Sequence, residues 1–405
     1  MKKVISSERI PIKLWLDDID DGTMEQIINI SNLPFAFSHI AIMPDAHVGY
    51  GMPIGGVLAT DNVIISSAVG SDIGCGMNVI KTNITGEVER NILIDIMKNI
   101  REKIPLGFNW HREPQDLKYF PDSRYKPKSL EVVNKEFEKA QYQIGTLGSG
   151  NHFCSIERGS DDHVWIMIHS GSRNIGKKVG DYYDKLSKDL NKKWHSSVPK
   201  EWDLSFLPFR TEEGLSYFKE MTYCIDFARA NREYMMKIVS DIFRKIFKDK
   251  FEIEFSYDIH HNFATFENHF RKNVIVHRKG ATRAYNGEYG IIPGSQGTNS
   301  YIVSGKGNVD SFKSCSHGAG RKLGRKNAIR TLDLEKEKEL LNSKGIIHCV
   351  RSKDDLDESP GAYKDIKSVM KLQEDLVDIL VELTPMAVIK GIKIKKEKIK
   401  KTKET

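Results

Sequence analysis

The chain has 405 residues, 39% of them hydrophobic, which is enough for a large buried core and the composition of an ordinary soluble globular protein. No stretch approaches about 20 apolar residues in a row, and the N-terminal MKKVISSERI lacks the apolar run of a secretion signal, so membrane spanning and export are excluded in favour of a cytosolic protein. The formal charge is +7, but part of the excess lies in the final KGIKIKKEKIKKTKET, so the charge permits nucleic acid as a partner without demanding it.

Five cysteines, at 75, 154, 224, 315 and 349, are an odd number without a framework spacing, which argues against structural disulfides and leaves metal binding or redox chemistry for any functional thiol. Along the chain, IAIMP (40–44) and NVIISSAVG (62–70) read as buried strands, the second ending in glycine. NILIDIMKNIREKI (91–104) carries apolar residues at helical spacing. Residues 109–128 are polar, with three prolines, and read as a surface excursion. HVWIMIHSGSR (163–173) is a continuous apolar strand stopped by a Gly-Ser turn, and NVIVHRKGA (273–281) repeats the design. Between them, Leu215, Phe218, Met221, Ile225, Ala228, Met235, Val239 and Phe243 predict one long or two shorter amphipathic helices over 214–247. Ile366, Val369, Met370, Leu376 and Ile379 predict a further helix over 363–383. Without repeats or a convincing linker, and with motifs spread from 45 to 390, the pattern favours one integrated α/β domain. Monomeric state is expected, since no heptad or exposed apolar stripe asks for a partner.

The chemistry-bearing residues sit at glycine-marked breaks. Asp72 and Cys75 lie three apart in GSDIGCG, where flexibility lets a carboxylate and a thiolate turn toward one point. His152, His169 and His261 are available to complete a shell, and a bridging thiolate would let this set hold two cations a few Å apart. Donor type suits Zn or Mn(II) and does not choose between them. Taken singly, each of these residues is as readily a buried turn residue; taken together, beside glycines, they favour a metal centre.

YGIIPGSQGTNSY (289–301) and CSHGAGRK (315–322) are glycine and serine loops whose free N–H groups could cradle phosphate, with Arg321 and Arg173 as charged donors. Neither matches a P-loop or Rossmann pattern, and alone such loops are more often plain turns. His317, between a serine and a glycine, is a nucleophile-capable imidazole at which a phosphoramidate could form. In PDAHVGYGMPIGG (44–56), Asp45 and His47 share a face if the segment is extended, and a structural turn capped by the aspartate explains them equally well.

MPDAHVGYGMPIGG, VGSDIGCGM, LGSGNHF, HSGSRNIG, HHN, RKGA, YGIIPGSQG, SCSHGAGR, AYKDI and the lysine of VIKG, in this order, resemble the signature blocks of the RtcB family of RNA-splicing ligases over residues 40–391. The resemblance implies a mixed α/β (α+β) catalytic domain over residues 1–391, followed by a lysine-rich tail, 392–405, expected to be solvated and disordered. It implies a GTP-dependent ligase with two Mn(II) ions that joins RNA ends bearing a 2′,3′-cyclic phosphate or 3′-phosphate to 5′-hydroxyl ends, in splicing or repair. By the same resemblance His317 is the guanylylated nucleophile, and Asp45 assists chemistry at the RNA end. Asp72, Cys75 and His152 hold one ion; Cys75, His169 and His261 hold the other. Asn151, His261, Asn262, Pro293, Gly294, Ser295, Gln296, Ser300, His317, Gly318, Ala319, Gly320, Tyr363 and Lys390 fall at nucleotide-binding positions. Some relatives use an activating accessory protein.

The chain departs from the family pattern twice near the base. NHFxE becomes NHFCS, so Ser155 stands where the family has an acid that helps read guanine, with Glu157 two residues later. PGSM becomes PGSQ, so Gln296 offers an amide to the nucleotide in place of an apolar contact. Two rivals use the same residues: a two-metal phosphodiesterase or nuclease without covalent nucleotide, and an RNA-binding protein that has lost ligation.

Overall fold

Period-two burial builds two large sheets in a computed structural model that describes residues 1–391. The lysine-rich stretch 392–405 lies outside the described residues. The first sheet has six strands in the order Lys3–Ile5, Ile12–Leu14, Ala36–His47, Ile54–Thr60, Lys272–Lys279 and Asn262–His269. All its pairings are antiparallel except that of Ile12–Leu14 with Ala36–His47. The second has seven, all antiparallel: Ile253–His260, Gly76–Thr85, His163–Ser170, Phe153–Gly159, Val377–Lys390, Ser300–Gly305 and Tyr289–Ile292.

Alternation decides what each face covers. In Ala36–His47, Ile40 and Ile42 face the helix Asp21–Ser31 through Ile27 and Ile30. Ala41 and Met43 face inward onto Tyr301 and Val303 of the second sheet, so a single apolar cluster joins both sheets into one body. On the second sheet, Ile156, Ile166, Ile168 and Ile389 receive the helices Arg90–Lys103 and Glu212–Phe247 through Ile96, Ile100, Met235, Val239 and Phe243. The expected mixed α/β class is borne out, and the long amphipathic stretch is one helix rather than two.

Two expectations need correction, and one helix was not foreseen. Residues 363–383 are not one helix: only Ile366–Leu372 is helical, and Val377–Lys390 is an inner strand paired on both sides. The three-to-four spacing of Ile366, Val369 and Met370 lasts two turns, after which the β-branched Val377, Ile379 and Val381 fit a pleated ladder better than a helix. Pro385, which cannot donate, sits at a register shift in that strand. In 62–70 only Val63–Ile64 is strand; Val69 and Gly70 both donate backbone N–H groups to the Ser66 carbonyl, so the buried run is mostly turn. Finally, the apolar strand ends at Ser170 and runs straight into an unanticipated helix, Arg173–Lys193, whose Ile175, Val179 and Tyr183 face inward.

Buried charges tie these elements to the site. Arg232, wholly buried in the long helix, pairs with Asp258 at 2.6 Å and donates to the carbonyls of Gly74 and Ser170 at 2.8 and 3.0 Å. Arg278 pairs with Glu267 at 2.5 Å and also donates to Ser314 Oγ and the Phe312 carbonyl, bracing the strand before His317. Burial would raise the Glu267 carboxyl, but Arg278 and His269 together hold it down to about 2. Because the folded pKa is depressed, the pair contributes stability above the ordinary value near 4.5, and that stability is lost as pH falls toward 2. Glu267→Gln leaves Arg278 buried without a counter-charge, so urea unfolding at pH 7 should show a loss of about 3–5 kcal/mol, shrinking below pH 4.

Candidate active site

Strand register brings the glycine-marked breaks to one end of the second sheet. Gly76 pairs with both Ser170 and His260, Phe153 with both His169 and Lys390, so Cys75, His152, His169, His261 and Lys390 emerge together. The 70–76 loop is held tightly there: a Cβ on Gly74, at φ +72°, would meet Ile225 Cα at 2.8 Å on the long helix.

The five residues expected to hold metal lie together. Cys75 Sγ lies 3.3 Å from Nε2 of both His152 and His169; Asp72 Oδ2 is 2.9 Å from His152 Nε2, and the Nε2 atoms of His169 and His261 are 3.4 Å apart. Asp72, Cys75 and His152 form one set of donors within 4.8 Å of each other, and Cys75, His169 and His261 the other, with Cys75 common to both. The rings are oriented for this. Nδ1–H of His152 donates to the Leu147 carbonyl and that of His169 to the Asn151 carbonyl, which leaves each Nε2 lone pair facing its neighbours. Burial holds His169 and His261 well below the usual histidine range, and burial with the Asp72 charge drives the Cys75 thiol well above its own. Burial would also raise Asp72, yet His152 and Arg173 keep it ionised. A carboxylate, three imidazoles and a shared sulfur facing inward from fixed backbone are the donor chemistry of a two-cation centre, and the residues fit one.

His317 lies against this cluster, its ring centroid 4.7 Å from that of His261. Asp45, with no exposed surface, accepts from both the backbone N–H and the ring Nδ1–H of His317 on Oδ2, at 3.1 and 2.6 Å. Nε2 therefore carries the lone pair. The chain can pass this closely because Gly320 has no Cβ; one built there would sit 2.2 Å from the Asp45 carbonyl oxygen. Asp45 thus meets the imidazole directly, a contact that two motifs 272 residues apart do not announce.

His317 also opens onto a cavity of about 580 Å³. Asn151, Pro293, Gly294, Ser295, Gln296, Ser300, Gly318, Ala319, Gly320, Tyr363 and Lys390 all line it, as the sequence led us to expect. Three residues differ from expectation, the first being His261, which does not line the cavity and turns its Nε2 to the cluster. Asn262 does not reach the cavity: its amide donates to the Asp72 carbonyl and accepts from Gly280 N–H, so it fixes the two loops to each other. The Gln296 amide lines the cavity but is partly engaged, donating one N–H to the Glu358 carbonyl and accepting from Cys349 N–H.

Sequence reasoning missed Glu358. Buried behind Tyr363, it pairs with Lys390 at 2.9 Å, Arg325 at 2.7 Å and Arg321 at 3.2 Å, and accepts the Tyr363 hydroxyl. Burial would raise it, but these cations hold it down to about 2. Arg321 is therefore spent on Glu358 and the Asp357 carbonyl rather than free for phosphate. The only prior signal for Glu358 was its place five residues before Tyr363 of the AYKDI block. Arg173 donates to Thr146 Oγ1 and lies 3.4 Å from His152 Nδ1, bracing the metal cluster from behind. His47 lines the cavity with Nδ1 on the Asp45 carbonyl, and burial pulls it down to about 4.

Comparison with known proteins agrees with this geometry. Residues 26–391 match the family model described as tRNA-splicing ligase RtcB. The RNA-splicing ligase RtcB of Escherichia coli K12 is 36% identical, over 96% of this chain and 99% of the relative. The tRNA-splicing ligases RtcB of Methanococcus maripaludis and Thermococcus kodakarensis are 33% and 31% identical, each over 95% of both chains.

Proposed function

The chain belongs to the RtcB family, and from that premise we propose that it is an RNA ligase that uses GTP and two Mn(II) ions to join 2′,3′-cyclic-phosphate or 3′-phosphate RNA ends to 5′-hydroxyl ends. One observation carries the reading: His317, its Nδ1–H taken by Asp45, lies between a six-donor cluster, Cys75 counted in both sets, and a nucleotide-sized cavity. Asp72, Cys75 and His152 would hold one ion and Cys75, His169 and His261 the other; when bound, the pair supplies positive charge against nucleotide and RNA phosphates.

The chain's own groups account for the rest. Asp45 fixes the tautomer, so His317 Nε2 attacks the α-phosphorus of GTP; the N–P bond forms as the bond to pyrophosphate breaks. The Gly294–Ser295 and Gly318–Gly320 turns line the cavity beside His317, held in shape by Gly294 N–H donating to Ser300 Oγ, Ser295 N–H to Thr298 Oγ1 and Ala319 N–H to the Pro293 carbonyl. Lys390 and Tyr363, locked by Glu358, flank the far end, where a base would sit. An oxygen of the RNA 3′-phosphate then takes the guanylate from His317, giving RNA-(3′)pp(5′)G. The 5′-hydroxyl attacks the activated 3′-phosphorus and GMP departs; a cyclic end is first opened by water. RNA held by its phosphates near exposed Lys322 and Arg325 at the cavity mouth would bind less tightly in high salt. Five free cysteines suit a reducing cytoplasm, and we take the working unit to be a monomer, with an activating protein as a possible partner.

Intact mass spectrometry after incubation with GTP and Mn(II) tests this: the protein should gain one GMP. RNA cleavage without nucleotide and without an adduct would mark a phosphodiesterase instead; RNA binding alone would mark a protein without ligase activity. In Asp45→Ala the His317 ring loses the acceptor of its Nδ1–H and the tautomer is no longer fixed, so the rate of adduct formation should fall about a thousandfold while Mn(II) content holds.

A further inference from the structure

Ser155 and Glu157 alternate onto the same face of the strand Phe153–Gly159, and both line the cavity at the end occupied by Ser300 and Lys390. Their hydrogen bonds are lopsided. Ser155 Oγ donates to Glu157 Oε1 at 2.8 Å, and Ser300 Oγ, itself accepting from Gly294 N–H, donates to the same oxygen at 3.4 Å. Glu157 Oε2 is buried with no partner, in a residue only 3% exposed. The other lining carboxylate, Asp20, has both oxygens engaged by Thr23, and Glu358 behind the cavity is surrounded by cations. A buried carboxyl oxygen left open beside a ligand cavity is expected to find its partner in the ligand.

We propose that Glu157, together with Ser155, sets the base preference of this site by presenting two hydrogen-bond acceptors that select a purine whose Watson–Crick edge carries two adjacent N–H donors. The inference rests on the nucleotide reading above and names the groups that discriminate within it. The Ser155 hydroxyl proton is committed to Oε1, so its oxygen faces the cavity as an acceptor, and Oε2 supplies a second acceptor. Guanine offers N1–H and the 2-amino group to such a pair. Adenine has one donor on that edge, its 6-amino group, beside the N1 lone pair, so one of the two acceptors is left facing an acceptor. Burial pushes the Glu157 pKa up to about 8; donors from a base favour the carboxylate, whose proton leaves to solvent as the base docks.

The test is equilibrium binding of GTP and ATP to the full chain, read separately from adduct formation. The protein should bind GTP at least about tenfold more tightly than ATP. In Glu157→Gln the two serine hydroxyls hold the amide oxygen in the place of Oε1, which puts the amide N–H₂ where Oε2 stood, a donor for an acceptor. The GTP-to-ATP ratio should then fall to within about threefold, with unchanged thermal melting. Ser155→Ala, which opens no buried charge, gives an independent reading and should also lower the ratio. An unchanged ratio in either folded variant, or no GTP preference in the parent, overturns the proposal. GTP binding without an adduct would sink the ligase reading while leaving the base-selection result standing; no nucleotide binding at all would overturn both.

Discussion

His317→Ala is expected to abolish the GMP adduct and to lower RNA joining by at least about 10⁴-fold. The size of the effect follows from the single lone pair available. With Nδ1–H donated to Asp45, Nε2 is the one atom of the ring able to form the N–P bond, and the cluster histidines cannot replace it, since Nε2 of His152, His169 and His261 all face the cluster. The variant should still fold. Asp45 keeps the backbone N–H of residue 317 as a partner, and the ring belongs to a cavity wall rather than to an apolar cluster. Mn(II) content and melting temperature close to the parent, with adduct below detection by mass spectrometry, are the expected set. An adduct persisting in this variant would move the nucleophile elsewhere.

Removing the shared sulfur should have the second largest effect. Cys75→Ala takes a donor from both triads at once, leaving Asp72 with His152 and His169 with His261, two-ligand remnants too poor to retain a cation through dialysis. Elemental analysis should drop from about two Mn per chain to near zero, and adduct formation should fall with it. Cys154→Ala supplies the control. That thiol is buried among Ile156, Ile166 and the sheet-covering helices, so its loss should leave the metal content at two. Retention of one ion in Cys75→Ala would show that the two sites do not share their sulfur.

Much of this site was legible before any coordinates. His261 stood out only by its HHN block, whereas Asp72, Cys75, His152 and His169 were each marked by a nearby glycine at a strand end, because a donor must leave the ladder to turn toward a common point and glycine permits the turn. The cavity residues at 293–296 and 317–320 were legible for the same reason. Gln296 and Asn262 were not. Their amides look free in sequence, and whether a side chain is spent on Glu358 and Cys349 or on Asp72 and Gly280 depends on which loops meet. The strand Val377–Lys390 was misread as helix because apolar residues three or four apart also arise by chance in a strand, and its first half, with Asp378, Ile379 and Leu380 exposed, carries no period-two alternation.

By itself, then, the sequence determined the family, the mixed α/β class, the ligand types and the loops that bear them, since these rest on residue identity and on short-range backbone rules. Only the tertiary structure decided the orientation of His317 by Asp45 across 272 residues, the commitment of Lys390 and Arg321 to Glu358, and the open oxygen of Glu157. The reason is physical: the worth of a buried polar group depends on whether its partner arrives, and partners distant in the chain are brought together by packing alone.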